Sequence, residues 1–164
     1  TENFRMNRLL MWIQPENYSS GIGYQTVQGL YAIGSGGLFG KGLGKSLQKL
    51  GFIPESQNDM IFSIICEELG LFGAMCIILV FALMLWRIIH IAQNAPDLFG
   101  TMLAAGVFAH VAVQVVLNIA VVTNFIPNTG VSLPFISYGG TASFFLLLEM
   151  GIVLNISSKI RLER

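Results

Sequence analysis

Three stretches of this chain, Leu69 to Trp86, Leu98 to Ile126 and Val131 to Leu148, contain no Asp, Glu, Lys or Arg. Each is long enough to cross the ~30 Å hydrocarbon layer of a bilayer at helical rise. Composition points the same way, because 54% of residues are hydrophobic and only 11% charged, whereas soluble domains carry roughly 25% charged residues. The reading is an all-α polytopic membrane protein with spans at about 69–90, 98–126 and 134–156, preceded by a large polar segment, residues 1–68, and followed by a tail, residues 157–164. Residues 1–57 are glycine-rich and lack the apolar core of a cleavable signal. Thr1 stands where an initiator methionine would, so the chain is expected to be a fragment.

Orientation follows from Lys and Arg near the span ends. Lys159, Arg161 and Arg164 crowd the C-terminus, and Arg87 with His90 opens the loop that ends near Asp97, whereas the connection from Pro127 to Gly130 has no charge. The C-terminus is therefore expected on the cytoplasmic side, with residues 1–68 extracytoplasmic after three crossings. Zero formal net charge argues against a nucleic-acid partner. Two cysteines, Cys66 and Cys76, and two distant histidines, His90 and His110, have no metal-ligand spacing. Ten residues apart on one helix, the cysteines would lie about 15 Å apart, beyond disulfide reach, and read as packing residues.

The polar segment holds the candidates for chemistry. Gly21 to Gly44 is dense in glycine, with Lys41, Lys45 and Lys49 in and after it. A phosphate loop is rejected, since that motif needs glycine where Phe39 stands and a buried strand ahead of it. A turn-rich surface loop is the simpler reading, although lysines beside exposed backbone amides can hold a diphosphate. Arg5 and Arg8, one helical turn apart, suit either a clamp for anionic oxygens or anchorage at the membrane boundary. Glu55, Asp59, Glu67 and Glu68 line the approach to the first apolar run, where a carboxylate needs a partner, a wet cavity or a substrate. Asp59 suits a helix N-cap or a general base, whereas Glu67 and Glu68 read as interfacial charges. His110, Gln114 and Asn118 recur every four residues in the second span and read as glue between helices. Glu149 is expected to pair inside the bundle, with a partner sought in helices beyond this chain.

Four ordered blocks go further. The chain reads GYQTVQGLYAIGSGG at Gly23 to Gly37, GKGLGKSLQKL at Gly40 to Leu50, PESQNDMIFSIICEELG at Pro54 to Gly70 and PNTGVSLPFISYGG at Pro127 to Gly140. In these blocks it resembles the SEDS family of membrane proteins, the group of FtsW, RodA and SpoVE, with GLGKSLQK leaning toward the FtsW and SpoVE branch. The resemblance implies the C-terminal part of a ten-helix fold. It also implies a peptidoglycan glycosyltransferase that joins lipid-linked disaccharides, releases undecaprenyl diphosphate and works with a class B penicillin-binding protein. Asp59 falls on the family's acidic position and is the expected base, although Asn58 and Met60 replace a common Thr and Phe beside it. Arg5, Arg8, Lys41, Lys45, Lys49 and Glu55 are the expected substrate-binding set, joined by Ser137 and Tyr138 of the SYGG block, whose glycines also suit close helix packing. Participation of a divalent cation is left open. The rival readings are a flippase for the lipid-linked precursor and a non-enzymatic scaffold.

Overall fold

The computed structural model describes residues 10, 12–13, 22–46 and 58–160, and all regular structure among them is helical. Four helices follow in chain order: α1 Ile22–Gly36, α2 Ile61–Gln93, α3 Leu98–Val122 and α4 Gly140–Lys159. The last three are each long and apolar enough to cross a membrane. The short turn at 94–97 folds α3 back along α2, with Asp97 capping α3 by accepting from the Gly100 amide at 3.2 Å. After the loop at 123–139, α4 returns alongside α3, its Ile156 close to Gly100. The start of α2, the end of α3 and the start of α4 thus meet at one end of the bundle. Arg87, Asp97 and Lys159 sit toward the other.

Between the helices lies a core that includes Phe81, Ile88, Ala104, Val111, Val115 and Val153. The outer face of α2 is equally apolar, with Leu71, Phe72, Met75, Leu79, Leu83 and Trp86 all exposed. An aqueous protein could not carry such a contiguous surface without association, but hydrocarbon imposes no hydrophobic penalty on it. The all-helical membrane architecture expected from the sequence is therefore present.

Helix limits differ from the expected ones at each span. α2 begins at Ile61, not near residue 69, because Phe62, Ile64 and Cys66 are already buried. The boundary expected at residue 68 falls inside that helix, just ahead of Gly70, whose φ of 69° and ψ of −168° interrupt it. α3 stops at Val122, since Asn124 enters the left-handed region at φ 57° and residues 123–126 turn instead. Residues 134–139 do not open α4. They form a turn in which the Leu133 amide donates to Ser137 Oγ at 2.7 Å, and the helix runs on to Lys159.

Candidate active site

The site grows from a clasp between α1 and α2. A Cβ at Gly36 would lie 1.9 Å from the Cys66 carbonyl oxygen, so only glycine lets the two backbones touch there. The chain then runs beside the Gly70 break. The Leu71 and Phe72 amides donate to the Gly37 and Leu38 carbonyls at 2.9 and 3.1 Å, and the Lys41 and Gly42 amides donate to the Glu67 and Glu68 carbonyls, both at 2.9 Å. A positive-φ residue frees these groups from helical pairing, and the loop takes them up.

At the centre of the clasp is Glu67, whose side chain is 0% exposed. Lys41 Nζ lies 2.7 Å from its Oε1, the Ser46 hydroxyl donates to its Oε2, and Lys41 Nζ also reaches Ser35 Oγ at 2.8 Å. A carboxylate here without a cation would be costly, so this pair belongs to the folded structure itself. The expectation of an interfacial charge is corrected accordingly. The Lys41 charge, expected to meet a substrate, is neutralised by Glu67.

Eight residues earlier in the chain, Asp59 stands in the turn at 58–60. The N-cap of α2 is Met60, fully buried and without a side-chain capping bond, so Asp59 is not the cap that its position suggested. Asp59 is half-buried, with Gln25 Nε2 of α1 3.4 Å from its Oδ1. The backbone beneath is held from two other elements. Asn118 of α3 donates from Nδ2 to the Asp59 carbonyl at 2.8 Å and to the Val131 carbonyl at 2.7 Å, and Ser137 Oγ donates to the Asn58 carbonyl at 2.6 Å.

Of the other expected residues, Lys45 is exposed near the clasp. Tyr138 is 80% exposed and, with Ile61, Ile64, Ser137 and Ser143, lines an open cavity of about 450 Å³ beside the start of α2. Arg5, Arg8, Lys49 and Glu55 lie outside the described residues. The polar stripe acts as glue at two of its three positions. Asn118 holds the Asp59 turn, and His110 Nδ1 meets both oxygens of Glu149 at 3.0 and 3.1 Å. Glu149 thus has a partner within this chain. Gln114 Oε1 is buried without a partner among the described residues. Sequence reasoning missed Gln25 altogether, because one glutamine in a glycine-rich helix carries no periodic signal. Among the described residues no three His, Cys, Asp or Glu side chains gather to hold a metal ion.

Residues 1–162 match the model of the FtsW, RodA and SpoVE family, described as cell cycle proteins. Stage V sporulation protein E of Bacillus subtilis is 48% identical over 154 residues, which is 94% of this chain and 42% of that protein. A probable peptidoglycan glycosyltransferase FtsW of Trichlorobacter lovleyi is 44% identical over 159 residues, 97% of this chain and 42% of the relative. A solved chain from a peptidoglycan synthase complex shares the fold, with a TM-score of 0.75 at 23% identity over 98% of this chain and 43% of that one. The chain spans 42% of the length of each of these two curated relatives.

Proposed function

Because this chain belongs to the FtsW, RodA and SpoVE family of cell cycle proteins, we propose that it is part of a peptidoglycan glycosyltransferase and that Asp59 is its general base. The observation that carries this reading is a half-buried aspartate at one end of a membrane bundle, on a turn fixed from two other elements. A sugar hydroxyl is a weak nucleophile. As its oxygen bonds to the anomeric carbon of the donor, Asp59 takes its proton, the bond from that carbon to the diphosphate breaks, and the diphosphate leaves with the electron pair. Cations offset that departing charge. With Lys41 bound to Glu67, the exposed Lys45 is the described lysine best suited to this task, with Arg5, Arg8 and Lys49 as further candidates. Tyr138 is exposed and suits contact with a headgroup, whereas the hydroxyl of Ser137 already serves Asn58 and Leu133.

The substrates in this proposal are undecaprenyl-linked disaccharides held in the bacterial cytoplasmic membrane, and the partner is a class B penicillin-binding protein. Relatives named as probable peptidoglycan glycosyltransferases support the activity, and the resemblance of fold to a chain of a synthase complex is in keeping with a partner. The test is glycan polymerisation by the purified full-length protein and its partner in detergent, supplied with lipid-linked disaccharide. Polymer is the expected outcome. Movement of labelled lipid across vesicles without any polymer would replace the enzyme with a flippase.

The proposed orientation puts Asp59 and the clasp outside the cell and the C-terminus inside. In a full-length version lacking Cys66 and Cys76, an impermeant thiol reagent should label Leu43→Cys in intact cells and Ser158→Cys only after lysis. Labelling of Ser158→Cys in intact cells contradicts the orientation.

A further inference from the structure

We infer that Asn118 and Ser137 are positioning residues for Asp59, acting through its backbone rather than on substrate, an inference that rests on the catalytic reading of Asp59. Asn58 and Asp59 precede the N-cap Met60, so neither carbonyl belongs to the hydrogen-bond ladder of α2. Each is instead held by a side chain from far along the sequence, Asn118 on the Asp59 carbonyl and Ser137 on the Asn58 carbonyl. Both side chains also bind the loop before α4, Asn118 at the Val131 carbonyl and Ser137 at the Leu133 amide. The turn carrying the carboxylate and the loop before α4 therefore form one hydrogen-bonded unit at the end of α3.

The chemistry of these side chains suits that duty. Asn118 is 0% exposed and gives its amide nitrogen to two carbonyls at once, from two different segments. An aspartate there would offer no donor when ionised, and a leucine none at all. Ser137 both accepts and donates, so its hydroxyl is committed to the two backbone groups it bridges. The next residue, Met60, is fully buried, and a close-packed side chain opposes compensating movement of the turn. A general base displaced by about 1 Å loses on the order of a hundredfold in rate.

The experiment is a double-mutant cycle on the full-length protein with its partner, read as kcat and KM for glycan polymerisation alongside the thermal midpoint. Asn118→Ala should lower kcat by about tenfold to a hundredfold with KM little changed, and Ser137→Ala, which deletes a single oxygen, should do so to a lesser degree. In an Asp59→Asn background neither change should lower the residual rate by more than about twofold, because a misplaced base no longer matters once the base is gone. A merely structural role lowers both backgrounds by the same factor, and that result overturns the inference. If Asn118→Ala fails to fold, Ser137→Ala alone decides between these outcomes. A KM increase at constant kcat for Ser137→Ala would instead assign its hydroxyl to substrate and overturn the positioning role. Near-normal activity of Asp59→Asn itself would refute the catalytic reading, a failure distinct from an additive cycle.

Discussion

Glu67 and Asp59 are two carboxylates on one short stretch of chain, and they differ in burial and in how each is held. Glu67 is sealed from solvent, with Lys41 and Ser46 on its two oxygens and its own carbonyl accepting from the Lys41 amide. Asp59 is half-buried, its backbone carbonyl accepting from Asn118 at 2.8 Å and its Oδ1 lying 3.4 Å from Gln25 Nε2. A carboxylate sealed from solvent with both oxygens bonded to side chains of the fold is committed to holding the clasp. A residue whose main chain is fixed from other elements presents its carboxylate in a defined place, which the proposed role as a base requires. The difference underlies the proposal that Asp59, and not Glu67, serves the chemistry.

Substitutions can break this contrast, beginning with the largest expected effect on stability. Glu67→Ala strands the Lys41 ammonium beside an emptied site and should cost about 3 kcal/mol, the lower end for breaking a buried pair, since Lys41 is 33% exposed. The thermal midpoint of the full-length protein in detergent measures this. An unchanged midpoint would mean that the clasp does not depend on the pair. Polymerisation per folded molecule should change much less than with Asp59→Asn, and an equal loss would make Glu67 a competing base.

A smaller effect is expected within the membrane, where His110 and Glu149 join α3 to α4. Replacing both with leucine should change stability by no more than about 1 kcal/mol, in keeping with the modest worth of side-chain hydrogen bonds between membrane helices. Replacing His110 alone leaves Glu149 without that partner and should cost more than the double change. Chemical denaturation in mixed micelles compares the two. A double variant less stable than the His110 single variant would show that the pair contributes more than local hydrogen bonding.

Much of the fold was legible because lipid exposure writes itself into composition. Runs without charge gave three spans, and all three are present as α2, α3 and α4. The apolar pattern alone began the first span at residue 69, because Glu67 and Glu68 interrupt it, whereas the reading of Asp59 as an N-cap already pointed to a helix start near Ile61. Glu67 looked interfacial because its cation lies in a glycine-rich loop, at a sequence distance that no periodicity spans. Asn118 was legible as a helix-joining residue through its place in the stripe with His110 and Gln114. That it joins α3 to the turn of Asp59 depends on three segments converging at one end of the bundle, and that convergence is a property of the packing.

The central claim, that Asp59 serves as a base and not as a structural group, is tested most directly by Asp59→Asn in the full-length protein with its partner, with rate and thermal midpoint measured on the same preparation. The substitution preserves size and the backbone bonds from Asn118 and Ser137 and should leave stability within about 0.5 kcal/mol. The account predicts that glycan polymerisation falls by about a hundredfold or more, the scale for loss of a general base, at an unchanged midpoint. Polymerisation near the unsubstituted rate, from protein equally well folded, would contradict it.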